Sequence, residues 1–277
     1  MFIIILVILG LAMGSFANAL VWRLFIQHVA DTPKVRARDY SILRGRSMCP
    51  VCKHKLSALD LVPVLSYLAL KGRCRYCQVR ISPQYPIAEL VMALVFVLSY
   101  IFWPVSFTLP GQWLLFGSWL TASVGLLALA IYDARWMILP NHIVYPTLGL
   151  AVIGRAGYII FYSSQPSRDV LAWLAAPAIA SGIFWLLFRL SGGRLIGYGD
   201  VRLGLITGTL VATPAKALAM IFFASLAGLV IALPHIITGT KNIGSKLPFG
   251  PFLIAATAFV MLFGQPVIDW YKRLVTG

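Results

Sequence analysis

Residues 1–23 read MFIIILVILGLAMGSFANALVWR, with no charged side chain before Arg23. Crossing the hydrocarbon core takes about 20 predominantly apolar residues, and this stretch supplies them. A secretory leader carries its basic residues ahead of the apolar run, whereas here the cation follows it. The stretch therefore predicts a retained first span, with the N-terminus outside and the Arg23 end inside. The same texture recurs along all 277 residues, which are 60% hydrophobic and only 11% charged. A soluble domain carries about 25% charged residues, so composition alone points to the membrane class. Eight apolar segments, at 2–22, 86–103, 113–132, 141–162, 170–190, 201–213, 216–235 and 248–265, predict an all-α polytopic protein. The sixth is short, begins near Arg202 and is stopped by Pro214.

The net charge of +15 has the sign that nucleic-acid binding needs, but its distribution argues against that function. Between Arg23 and Tyr85 there are twelve Lys or Arg and only three acids, Asp31, Asp39 and Asp60. Basic excess in a loop between spans keeps that loop in the cytoplasm and attracts anionic headgroups. No basic run is interleaved with aromatics, so no nucleic-acid partner is expected. The expected division is a first transmembrane helix at 1–22, a cytoplasmic domain at 23–85 and a seven-helix core at 86–277. Arg155, inside the fourth span, either snorkels outward or pairs within the bundle.

All four cysteines lie in the 23–85 loop, as Cys49-Pro-Val-Cys52 and Cys74-Arg-Tyr-Cys77. Two such pairs about 20 residues apart match a tetrahedral four-thiolate zinc site. A cytoplasmic loop disfavours disulfides. A closed four-sulfur shell leaves no position for water, so the expected role of zinc is to fold the loop.

After Glu89 the acids are Asp133, Asp169, Asp200 and Asp269, and the expected topology places Asp169 and Asp269 outside. Asp133 closes the third span in IYDARWMILPN, and Asp200 opens the sixth in GYGDVRL. Singly, Asp200 reads as a helix cap and Asp133 as an interfacial charge. Together they are a carboxylate pair at one membrane edge, which is what aspartyl hydrolysis needs. Gly197 and Gly199 would let a substrate backbone approach closely. No Ser sits in a GxSxG elbow. His142 and His235 leave a two-His, two-Asp metalloprotease conceivable, although no HExxH is present.

In order, the chain then carries Gly14-Ser15-Phe16-Ala17-Asn18 with Trp22-Arg23, the two cysteine pairs, and Ser66-Tyr67-Leu68. Gly72-Arg73-Cys74, Tyr85-Pro86 with Glu89, and Asp133 before Leu139-Pro140 follow, then Gly197-Tyr198-Gly199-Asp200 and Pro248-Phe249-Gly250-Pro251. This ordered set, from residue 14 to about 253, resembles the bacterial type IV prepilin peptidases, membrane aspartyl peptidases with a GxGD motif. The resemblance implies cleavage of basic leaders from type IV prepilins or pseudopilins on the cytoplasmic face of the inner membrane. It maps the two family aspartates onto Asp133 and Asp200. It further implies N-methylation of the new terminus with S-adenosylmethionine as donor, because members with the cysteine loop have both activities. One departure is Asn141, where the family carries an acid after Leu-Pro.

The donor-binding residues are not identified by pattern. No glycine-rich strand-to-helix turn of nucleotide-binding type is present, and Glu89 is the one residue offered for the donor. A peptidase without methylation is the nearest alternative. A non-catalytic, zinc-containing scaffold of a secretion machine has no use for two acids at one membrane edge. A transporter would be expected to carry acids near mid-bilayer or an inverted repeat.

Overall fold

The computed structural model describes residues 1–29, 41, 45–238 and 247–276. Lys34, Arg36, Arg38 and Arg44 of the basic loop, with Asp31 and Asp39, lie outside the described residues, as does most of the 236–247 connection. The described chain is helical, with two isolated β-bridges and no extended strand. It forms two compact units, Met1–Tyr100 and Ile101–Gly277.

The first unit contains α1 (Phe2–Val29), a 3-10 turn (Ala58–Leu61), the short α2 (Leu65–Ala69) and α3 (Gln84–Ile101). Residues of the GSFxN and Tyr-Pro motifs tie its parts together. Asn18 donates to the carbonyl of Tyr85 at 3.3 Å and accepts from the Gln84 amide at 3.0 Å. Arg23 donates to the carbonyl of Gly45 at 2.7 Å, and the Glu89 carboxylate accepts the Val64 N–H at 2.7 Å. The loop is thus fastened at both ends to the helices that bracket it.

The second unit contains α4 (Pro110–Trp136), α5 (Asn141–Tyr162), α6 (Pro166–Ser191), α7 (Tyr198–Val211), α8 (Pro214–Ile237) and α9 (Gly250–Thr276). Seven helices, α1, α3, α4, α5, α6, α8 and α9, are long and apolar enough to cross a membrane, and the protein is multi-pass. The remaining expected span, the sixth at 201–213, is α7, and its 14 residues fall short. At 1.5 Å per residue it rises about 21 Å, against a hydrocarbon core of about 30 Å. Its surroundings explain how so short a helix persists. α7 contacts α5, α6, α8 and α9, and Val201, Leu203, Ile206, Thr207 and Val211 are all buried. Only Leu205 in its middle is exposed, so α7 is largely a core element held by longer neighbours.

Both units are stitched by paired glycines four residues apart, which let helix backbones touch where lipid offers no hydrophobic gain for association. A Cβ added at Gly10 or Gly14 of α1 would fall 2.5 Å from Ala93 Cα or 2.6 Å from Glu89 Cα of α3. On α7, a Cβ at Gly204 would meet Phe184 at 2.8 Å, and one at Gly208 would meet the Pro177 Cα of α6 at 2.5 Å. Gly208→Ala should therefore destabilise the bundle by about 1–3 kcal/mol through overpacking against backbone. Gly182→Ala, where nothing lies within 4 Å of the new Cβ, should be neutral or stabilising by up to about 1 kcal/mol. Thermal unfolding of the two purified variants checks this. Equal melting temperatures would contradict the close α6–α7 contact.

Candidate active site and metal centre

Asp133 lies in the last turn of α4, which ends as Met137 takes a left-handed conformation and donates its N–H to the Asp133 carbonyl at 2.8 Å. A carboxylate at a helix C-terminus faces the negative end of the helix dipole, an unfavourable place for it. The chain offsets this with the start of another helix. Gly250, the first residue of α9, donates its backbone N–H to Asp133 Oδ2 at 3.0 Å. A Cβ there would lie 2.6 Å from the same oxygen, so any other residue would push the carboxylate aside. Asp133 is 7% exposed.

Asp200 occupies the first turn of α7, and its Oδ2 accepts the Gly197 N–H at 3.2 Å. The capping role is therefore real. Asp200 is half-buried and lies in the electrostatic field of Asp133. The link from α4 to α5 runs beside α7: a Cβ on Gly199 would sit 3.2 Å from Leu139. Arg202 donates to the side-chain oxygen of Asn141, with its guanidinium 5.2 Å from the Tyr198 ring centroid. Asn141 thus accepts from the Arg202 guanidinium with an uncharged amide oxygen, a charge-assisted hydrogen bond rather than an ion pair. The C-terminal end of α4 and the N-termini of α5, α7 and α9 converge on one end of the bundle, with both aspartates among them.

Of the residues singled out in the sequence, Gly197 is exposed and open, while the close approach at Gly199 is to Leu139. Glu89 is buried, and its carboxylate is engaged by the Val64 N–H and the Ser15 side chain. Arg155 sets its guanidinium 5.1 Å from the Tyr158 ring centroid, and its Nε is buried without a hydrogen-bond partner. His142 is exposed, and the His235 side chain lies outside the described residues. Gly250 is the site residue that the sequence reading missed. It was visible only as part of a motif, because a backbone N–H leaves no trace in residue type.

The four cysteines form two copies of one knuckle. In each, the first cysteine's carbonyl accepts the N–H four residues on, at 3.0 Å for both Lys53 and Gln78. Each copy turns through a left-handed residue after its second cysteine, Lys53 and Gln78, both at φ 58°. Each closes with a bridge, Met48 to Lys55 and Arg73 to Arg80. The four sulfur atoms lie within 4.8 Å of one another, and Cys49 and Cys77 approach to 3.8 Å. A tetrahedral ion with bonds of about 2.3 Å to sulfur needs sulfurs about 3.8 Å apart, so the donors fit a divalent metal. Among the described residues this is the one group of three or more His, Cys, Asp or Glu able to hold a metal.

Charge explains why the group calls for a cation. Burial raises the Cys49 thiol, but N–H donors of Cys52 and Val51 and the neighbouring thiols outweigh it and bring it down to about 7. At Cys77 the Val79 N–H acts downward, yet burial and the other three sulfurs push the thiol up to about 11. Four crowded sulfurs cannot all ionise alone, and a bound dication reverses that balance. Nearby, shielding disfavours ionisation of Asp60, but Arg75 at 2.7 Å and Ser57 hold its carboxyl down at about 2.

Two family models match the chain: the bacterial peptidase A24 N-terminal domain over residues 8–103, and the type IV leader peptidase family over residues 120–233. A protein of Aeromonas salmonicida (strain A449) named prepilin leader peptidase/N-methyltransferase is 31% identical, covering 96% of this chain and 92% of the relative. Proteins of the same name are 29% identical in Pseudomonas aeruginosa PAO1 (98% of this chain, 94% of the relative) and 32% in Burkholderia pseudomallei K96243 (94% and 85%). No solved structure matches the chain.

Acid should strip the metal, because each thiolate must take up a proton as it leaves the ion. Metal content measured by atomic emission should therefore fall as pH is lowered from neutral. Cys52→Ser and Cys77→Ser should lose most of the metal already at neutral pH. Full occupancy in both variants would contradict the four-sulfur site.

Proposed function

The chain belongs to the type IV leader peptidase family, and from that premise we propose a membrane aspartyl endopeptidase and N-methyltransferase whose cleavage chemistry rests on Asp133 and Asp200. The substrates are prepilins or pseudopilins, whose leaders it removes before methylating the new N-terminal residue. The observation that supports the site assignment is the hold on Asp133 by the Gly250 N–H and on Asp200 by the Gly197 N–H, where the start of α7 meets the α4–α5 link through Gly199 and Leu139.

Two carboxyls in each other's field share one proton, and the pair titrates as a unit. The ionised member takes a proton from water as that water attacks the scissile carbonyl carbon. The protonated member donates to the carbonyl oxygen, which gives a neutral gem-diol. As the C–N bond breaks, a proton passes to the leaving amine, and the shared proton is restored. The backbone donors Gly197 and Gly250 fix the carboxylates without bringing a charge of their own. Exposed Gly197 and Tyr198 leave one side of the GxGD turn open to an extended peptide.

Zinc is the metal that the four sulfurs fit, and its part is to fold the loop. S-adenosylmethionine is the donor that methylation calls for, and the relatives' names support it. The Glu89 carboxylate, the residue offered for the donor, also braces the loop against α3. The setting is the bacterial inner membrane, with the N-terminus outside and both the loop and the aspartates on the cytoplasmic side. In this division of labour, 1–22 anchors, 23–85 carries the zinc and 86–277 carries the peptidase.

Asp133→Asn and Asp200→Asn should each lower the rate of leader removal by about 10²–10⁴, the worth of a positioned acid or base. Gly250→Ala should cost roughly 10², because the new Cβ displaces the Asp133 carboxylate while deleting no catalytic group. Initial rates on a prepilin substrate, with membrane insertion checked for each variant, provide the test. Near wild-type cleavage in either aspartate variant would remove it from the mechanism.

A further inference from the structure

The second cysteine knuckle does something that the first does not. Its bridge pairs Arg73 with Arg80, whereas the equivalent positions of the first hold Met48 and Lys55. Directly opposed residues of an antiparallel bridge place their side chains on one face, and like charges there repel. Lys71 joins them at the rim of a cleft of about 520 Å³ lined also by Tyr67, Ser82 and Pro83. All three cations are exposed, and among the described residues none has an acid partner. Their neighbour Arg75 does have one, Asp60 at 2.7 Å. A general basic surplus accounts for a cation count, but not for two arginines set against each other while the nearby acid is given to a third.

The surroundings of the cleft say what would neutralise it. Its lip, Ser82-Pro83, leads directly into α3 at Gln84, so the cleft adjoins the end of a helix long and apolar enough to cross a membrane. Its other wall, Tyr67, belongs to α2, where Leu65 and Leu68 are 65% and 63% exposed. Leu61 and Val62 just before it are exposed as well. Exposed aliphatic side chains beside a basic cleft, next to a span, have the composition of an interfacial membrane contact. Guanidinium groups match phosphate oxygens in a two-point fork, which suits two arginines on one face.

We propose that Lys71, Arg73 and Arg80 bind the phosphate of an anionic phospholipid headgroup, with Leu61, Val62, Leu65 and Leu68 dipping into the interface. The knuckle loop then lies on the bilayer beside α3. The lipid phosphate supplies the countercharge that the fold withholds from the two opposed arginines.

The test uses the full chain with its metal, in nanodiscs of phosphatidylcholine alone or mixed with phosphatidylglycerol. Amide hydrogen exchange is followed over residues 59–83 by mass spectrometry. Exchange should be several-fold slower in the anionic discs, and high salt should erase the difference. Arg73→Gln/Arg80→Gln should erase it too while keeping the metal and, freed of like-charge repulsion, a knuckle at least as stable. Arg75→Gln, at the paired arginine, should keep the difference. Equal exchange in the two wild-type discs would overturn the proposal, as would a difference surviving in the double variant. Equal protection by inorganic phosphate in phosphatidylcholine discs would also overturn it, since the ligand would then be a soluble anion.

Discussion

A carboxylate enclosed by helices needs hydrogen-bond donors in place of the water it has lost. Here the donors are backbone amides at the beginnings of helices, where N–H groups have no partner within the helix. Gly250 of α9 serves Asp133, and Gly197, just ahead of α7, serves Asp200. This requirement shapes the second unit. It sets the start of α9 against the end of α4, and it accounts for a glycine at position 250 where any side chain would strike the carboxylate. Among the described residues no Lys, Arg or His forms a salt bridge with either aspartate, as the proposed sharing of one proton between them requires.

The short α7 follows from the same logic. Packed against α5, α6, α8 and α9 and exposing little beyond Tyr198 and Leu205, it needs no full membrane length. Gly204 and Gly208 let α6 come into backbone contact, which packs α7 tightly behind its functional first turn. The first unit meets a different shortage. Its loop has little apolar core, and a domain that small needs a staple. The paired knuckles supply it, and Asn18, Arg23 and Glu89 fasten the loop to its helices.

What was readable in the sequence was what residue type encodes. The cysteine cluster could be read from its spacing, and Asp133 and Asp200 stood out, because thiolates and acids at the membrane edge are scarce and chemically committed. The eight apolar segments were readable as helices, but hydropathy could not tell a lipid-facing span from the enclosed α7. Gly250 escaped because its contribution is an N–H that every residue but proline has, and only the fold shows where it points. Glu89 looked like an acid available for the methyl donor, and the Val64 N–H that engages its carboxylate comes from a loop 25 positions away. The glycine pairs of α1 and α7 were in plain sight as a four-residue spacing. Reading them required knowing which helix lay opposite.

The central claim is that Asp133 and Asp200 jointly handle the proton of one attacking water. The most direct measurement is the structure of the protein bound to a prepilin peptide whose scissile amide is replaced by a secondary alcohol. The account predicts that the hydroxyl lies within hydrogen-bond distance of both carboxyls, with Gly250 still donating to Asp133. A bound peptide whose hydroxyl meets only one of the two aspartates, or a metal ion in their place, would contradict it.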